Sequence, residues 1–306
     1  MRLNYKILWI ENDFGWQKST AKMINDEITE SGFILEIFPH KDYNDLDILS
    51  IKYPNFRTFD LILIDFKLDN NLTGDTFIRE VRNNNIFTDI LFYSKDSEKL
   101  QEIFMSNSLE GVYISNREDF EEKFFQVFRK TIKKFEEINA VRGLVMAETS
   151  RLDRIIEDII ISFLNSEENN PTELKKYIIK SLEDNIKCLF IDKDKNVNER
   201  GNLKAKDINN NKLIKRVLDA SKRTRVLMKL INSKNLDVEF TYKKYKEEVI
   251  DIRNSLAHAK SETIDGIEYL IIEENGTVEK KELKTKDIVE IRKKILKYDK
   301  MLHKIK

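Results

Sequence analysis

The chain has 306 residues, 54 Lys plus Arg against 54 Asp plus Glu, and is 41% hydrophobic and 35% charged, enough apolar content for packed cores in about two domains. This excludes a fibrous or low-complexity chain. Only eight Gly and three Pro are present, and no window has the Gly spacing of a P-loop or a dinucleotide fingerprint, so a Gly-rich phosphate cradle is excluded and a mostly helical fold with few hairpins is expected.

Over residues 1–117, short apolar runs alternate with amphipathic segments. Tyr5–Ile10, Phe33–Phe38, Leu61–Ile64, Ile90–Tyr93 and Val112–Ile114 read as five buried strands, rich in β-branched and aromatic residues. Segments 14–31, 42–53, 75–84 and 97–107 have helical spacing, and Gly32 sits where a helix C-cap glycine belongs. The repeated strand-helix order predicts an α/β doubly wound five-stranded parallel sheet, whose ligand site lies at the carboxyl ends of the strands. The apolar run Ile7–Ile10 is cut off by Glu11 and Asp13, too short for a signal-peptide core, and no stretch approaches the roughly 20 apolar residues of a membrane span. With a single Cys188 and no internal disulfide, the expectation is a cytoplasmic protein without a membrane partner.

From Glu118 the pattern becomes helical. Phe120, Phe124, Val127, Phe128, Ile132, Phe135, Ile138, Val141, Leu144 and Val145 recur at three and four residues, predicting one long helix or two abutting ones, with Gly143 the weak point. A stripe of this length on a linker suggests packing against a second copy, hence a homodimer. Helical segments 173–190, 211–232 and 241–259 follow, with a polar loop at 191–211. Glu268–Ile272 and Val278–Leu283 flank Asn275-Gly276, a hairpin signal, and a last helix begins near Thr285. The expected organisation is 1–117 as the α/β domain, 118–144 as a linker or dimerisation helix, and 145–306 as an all-α bundle with a small β-hairpin.

The zero net charge conceals a split. Residues 1–117 hold 13 Lys plus Arg and 19 Asp plus Glu, whereas 118–306 hold 41 and 35. Between Arg200 and Lys234 eleven basic residues face only Asp207 and Asp219, a concentration suited to a polyanion or, equally, to a solvated Lys-rich helix face.

Glu11, Asn12 and Asp13 follow the first strand, and Asp65 ends the third. Carboxylates at adjacent strand ends converge in one crevice, where a hard cation such as Mg²⁺ held by Glu11, Asp13 and Asp65 would relieve their repulsion. A carboxylate beside such a charge can attack a phosphoryl group, and Ser94 would hydrogen-bond the phosphoryl oxygens. These residue types, with Gly74 in the loop after Asp65, resemble the receiver domain of bacterial response regulators over residues 4–117. The resemblance implies that Asp65 is phosphorylated by a histidine kinase. Two positions depart from that family: Asn12 stands where a metal-binding carboxylate is usual, and the Lys after the fifth strand is absent, with Arg117 as its substitute for phosphoryl binding. An alternative is a receiver fold kept only for dimerisation or docking.

In the helical half, Ile252-Arg253-Asn254-Ser255-Leu256-Ala257-His258 brings together a permanent planar cation and a group that exchanges protons near neutral pH. Arg253 would stabilise charge on a phosphate attacked by the 2′-hydroxyl of RNA, His258 would act as general acid or base, and Asn254, four residues from His258, would orient the imidazole or touch phosphate. Arg253 and His258 lie about 140° apart on an ideal helix and flank a groove. The Arg, four residues, His spacing resembles the signature of the HEPN superfamily. That resemblance implies a metal-independent endoribonuclease with RNA as partner, its site formed across a dimer, in toxin or phage-defence systems. The alternative is a non-catalytic module that binds RNA, nucleotide or protein. His40 and His303 stand alone, so no zinc site is expected.

Overall fold

The computed structural model describes residues 3–43, 58–69, 72–107, 110–166, 171–190, 218–265, 267–274 and 277–306. Most of the expected helix 42–53, the polar segment 191–211, the basic cluster from Arg200 up to residue 217 and the Asn275-Gly276 turn lie outside them. The described chain divides into two compact units, one running to residue 140 and the other over residues 141–306.

In the first unit the strands are β1 (Asn4–Ile10), β2 (Ile34–His40), β3 (Leu61–Asp65), β4 (Ile90–Ser94) and β5 (Val112–Asn116). All pair in parallel in the order β2-β1-β3-β4-β5, a doubly wound arrangement whose order reverses beside β1. Among the described residues the α-helices of this unit are α1 (Phe14–Glu30), α2 (Gly74–Asn83), α3 (Ser97–Asn107) and α4 (Phe120–Ile132). Because side chains alternate along a strand, each strand feeds two cores. Leu8, Ile10, Ile62, Ile64, Ile90 and Phe92 pack on one face with Phe77, Ile78 and Val81 of α2. Ile7, Trp9, Leu61, Leu63, Leu91 and Tyr93 pack on the other with Ile24 and Ile28 of α1 and with α4. The helix α1 ends as expected at Gly32, with φ of 77°, and the Phe33 amide reaches back to the Ile28 carbonyl at 3.0 Å.

The helical run after Glu118 differs from the sequence expectation. Phe120, Phe124, Val127, Phe128 and Ile132 are buried in the sheet's own core, so this part of the stripe packs in cis, as the second helical layer a two-sided sheet requires, and is spent before any second copy is met. The helix breaks at residues 133–137 and not at Gly143. A 3₁₀ turn at Lys133–Glu136 leads to Glu137 in extended conformation, which lets Phe135 approach the Phe33 ring at 6.4 Å. The sheet unit therefore runs past the expected boundary at residue 117.

The second unit is built on α5 (Ile138–Asn165), whose first three residues belong to the sheet unit, with α6 (Thr172–Phe190), α7 (Ala220–Ser233) and α9 (Thr285–Ile305). Between α7 and α9 the chain forms a helix with a wide centre. It starts at Tyr242–Tyr245, opens into a π turn at Lys246–Ile250 and ends at Asp251–His258; the whole is α8. Phe240, Tyr245 and Tyr298 meet at ring centroid distances of 4.9–5.9 Å in its core. Arg151 of α5 donates to Asp299 of α9 at 2.6 Å, and Tyr298 donates to Glu248 in the π turn at 2.7 Å.

The expected hairpin is part of a three-stranded antiparallel sheet, β6 (Lys260–Ile264), β7 (Ile267–Glu274) and β8 (Thr277–Glu282). Sequence reasoning missed β6 because all five of its residues are exposed, which leaves no alternation of apolar and polar positions to read.

Candidate functional site

The strand ends of the first unit bring Glu11, Asp13, Asp65, Ser94 and Arg117 together. Parallel pairing fixes this: β1 and β4 flank β3, so their carboxyl ends open on the same edge. Asp13 also caps α1, accepting from the Trp16 amide at 3.0 Å, and this bond holds its carboxyl below the usual range. Gly74 starts α2 beside Asp65. A Cβ there would lie 2.5 Å from the Asp65 carbonyl oxygen and 2.9 Å from Phe92, so only glycine lets the helix approach the end of β3 this closely.

The cation at the centre of these carboxylates is the Arg117 guanidinium. Its Nη2 donates to Glu11 Oε2 at 2.8 Å and to Asp65 Oδ2 at 2.8 Å, and its Nη1 to Asp13 Oδ2 at 3.1 Å. Its side chain is 8% exposed and lies 4.3 Å over the Trp16 ring. Burial alone would lower its pKa, but Glu11 and Asp65 outweigh that and raise it. Burial is the largest influence on both partners and raises the Glu11 and Asp65 carboxyls, with Arg117 opposing it. Glu11 is fully buried and accepts from Tyr93 at 2.9 Å; the Tyr93 hydroxyl in turn accepts from Trp9 Nε1 at 2.7 Å. Asn12 lines the same crevice and donates to Asp69 at 2.8 Å.

Two atoms of this cluster have no hydrogen-bond partner, Arg117 Nε and Asp65 Oδ1; Asp65 lines a cleft of about 310 Å³ with Asp13, Ser94, Lys95 and Arg117. The Phe66 and Lys67 amides act to lower the Asp65 pKa, yet neither forms a hydrogen bond to Oδ1. Ser94, 1% exposed, accepts at Oγ from the Asp96 amide at 3.0 Å. Lys95, not singled out from sequence, reaches Asp13 at 3.6 Å. Nor was the part of Trp16 foreseeable beyond its place in the first turn of the helix after the acidic strand end.

The expected metal ligands therefore do not fit a divalent ion as they stand. Among the described residues no group of three or more His, Cys, Asp or Glu is arranged to hold a metal, and at least one oxygen each of Glu11, Asp13 and Asp65 is turned onto Arg117.

In the second unit Arg253 and His258 do not converge within one chain. Arg253 is half-buried, with Nη1 3.3 Å from Asp153 on α5 and Nη2 3.1 Å from its neighbour Asn254 Oδ1. Asp153 also lies 4.0 Å from Arg223, whose other branch holds Glu157 at 2.9 Å. Burial raises the Asp153 pKa against the pull of both arginines. Asn254 and His258, four residues apart and both exposed, line a second cleft of about 680 Å³. Its other walls are Lys246, Asp251, Ser255, Ala259, Lys260, Ile271 and Ile272, which brings two lysines and the β7 surface beside the imidazole. Lys246 and Lys260 went unnoticed in the sequence; one sits on a π turn and the other on an exposed strand, and neither position has a readable period. Arg142 fixes the end of α8 by donating to the Ala259 carbonyl. His303 stays outside this cleft and bonds the Asp299 carbonyl at 2.9 Å.

Among solved structures the chain is similar to a response regulator receiver domain from Rhodospirillum rubrum, with 21% identity over 41% of this chain and 93% of that one and a TM-score of 0.28. No family model and no curated protein matches it. The strand order is what carries the α/β assignment. No helix among the described residues is long and apolar enough to cross a membrane.

Proposed function

We propose that the chain is a response-regulator-like protein in which Asp65 receives a phosphoryl group and the helical unit acts on RNA. The observation that carries the first half is the buried, unpartnered Asp65 Oδ1 facing a cleft lined by Ser94, Lys95 and Arg117. That oxygen would attack phosphorus, the bond to the leaving group of an acyl phosphate or phosphohistidine would break, and Arg117 would balance the added charge. A histidine kinase is the natural donor. Incubation with acetyl phosphate, with and without Mg²⁺, followed by intact-mass measurement tests it. A single phosphoryl addition lost in Asp65→Asn is expected, and an Asp65→Asn chain that still gains the mass would end the assignment.

For the helical unit we propose metal-independent cleavage of RNA by a dimer, in stress or phage defence. In that step the 2′-oxygen bonds to phosphorus and the 5′-oxygen leaves with a proton, which His258 would carry. Supporting this is the placing of His258 and Asn254 in one cleft with Lys260 and with Lys246, which pairs with Asp251 at 2.8 Å and would exchange that partner for phosphate. A second reading, binding of RNA without cutting, is favoured by a specific observation: Arg253 is held by Asp153 and does not line that cleft. Purified chain, Arg253→Ala and His258→Ala, each incubated with RNA in EDTA, separate the two. Cleavage by wild type alone supports the nuclease, and RNA retention without cleavage in all three supports the second reading.

A further inference from the structure

The three strand-end carboxylates share a cation that the chain itself supplies. We propose that Arg117 occupies the position a divalent metal would need, so that this crevice excludes Mg²⁺ and becomes a metal site only when the guanidinium is removed. This goes beyond the reading above and holds whether or not Asp65 accepts a phosphoryl group.

Geometry and charge support it together. Mg²⁺ requires oxygens at about 2.0–2.1 Å in near-octahedral order, and binds through one or two carboxylates with several waters. Here the inner oxygens of Glu11, Asp13 and Asp65 point at guanidinium nitrogens 2.8–3.1 Å away, so a metal in their midst would overlap Arg117. Arg117 is not easily moved aside. It is nearly buried, it lies on the Trp16 ring, and its backbone amide donates to the Ser94 carbonyl at 3.1 Å. Asp65 Oδ1 remains free for a cation, but a single carboxylate oxygen with water is a weak site. Asn12 brings no charge and is committed to Asp69, which also pairs with Lys41 at 2.6 Å. Once the guanidinium is gone, three like charges face one another around a space lined with oxygens, and a hard cation relieves them.

The chain carries its own reporter, because its two tryptophans are Trp9 and Trp16, one bonded to Tyr93 beside Glu11 and the other stacked on Arg117. The full-length protein is freed of metal with EDTA, exchanged into buffer, and titrated with Mg²⁺ while tryptophan fluorescence is followed. Wild type is expected to show no saturable change up to about 10 mM, whereas Arg117→Ala saturates with at least a tenfold lower dissociation constant. Arg117→Gln, which keeps more of the side chain over Trp16, guards against a failure of the Ala variant to fold, and a Mg²⁺-dependent rise in Tm of either variant, absent from wild type, reports the same binding. Saturable Mg²⁺ binding by wild type in that range overturns the proposal, as does the absence of a gain in both variants.

Discussion

Arg117 donates to one oxygen of Asp65 at 2.8 Å, while the other oxygen of the same carboxylate is buried with no hydrogen-bond partner. Half of the carboxylate is neutralised and half is held ready, at a cost to the fold that depends on pH.

Burial raises Asp65 and Glu11 above their ordinary values of 3.8 and 4.5, and Arg117 only offsets it. For a group raised on folding, the neutral form favours the native state. Its contribution is fully present below the ordinary value and is lost as pH rises through the elevated one. Asp65→Asn, which removes the ionisation and keeps the shape, is therefore expected to melt at or above wild type at about pH 7.5, by on the order of 1 kcal/mol, with the gap closing as pH falls towards about 4. Thermal melts across that range check this; a variant less stable than wild type at the upper end would show that pairing with Arg117 outweighs burial.

Glycine substitutions separate close approach from simple flexibility. Gly74→Ala places a methyl against the Asp65 carbonyl and the Phe92 ring, so β3 or α2 must shift, and a loss of about 1–3 kcal/mol is expected with weaker phosphoryl labelling at Asp65. Gly143→Ala, where nothing lies within 4 Å, should instead stabilise α5 by about 0.5–1 kcal/mol. Denaturant melts of both variants make the comparison.

The Phe124 side chain is fully buried between Phe120 and Phe128 in the sheet's own core. Its truncation to Ala should cost about 3–5 kcal/mol. That loss should be the same at protein concentrations a decade apart, whereas a stripe sealed between two copies would make it concentration-dependent.

Lys246 and Lys260 flank the cleft that holds His258. If they meet phosphates, Lys246→Ala or Lys260→Ala should each flatten the slope of log affinity for single-stranded RNA against log salt by about 0.7. Filter binding at several salt concentrations measures it. An unchanged slope in both places RNA elsewhere.

The sheet was readable because its strands are short, rich in apolar residues and separated by helical periods, and the acidic strand ends followed once strand order placed Asp13, Asp65 and Ser94 on one edge. What the sequence could not convey is direction. A stripe such as Phe120 to Ile132 states that something apolar is opposite, not whether it is the preceding sheet or another copy. Nor does a carboxylate at a strand end say which cation it meets; the choice of Arg117 over a metal depends on a side chain 52 residues beyond Asp65 folding back across the crevice. In the helical unit the spacing of Asn254 and His258 correctly put them on one face, but Arg253 was taken by Asp153, 100 residues earlier, a pairing with no local signature.

The π turn at Lys246–Ile250 has a consequence for how this cleft can vary. A π turn holds one residue more than an α turn within about the same rotation, so the extra residue is absorbed as a local widening and the helix beyond keeps its phase. Deleting one residue there would restore regular α-helix and leave Asn254 and His258 on the side of Ile271 and Ile272, while removing the widening that carries Lys246 at the cleft. One wall of the cleft is thus set by residue count and the other by helix phase, and a one-residue deletion would alter the first without turning the second.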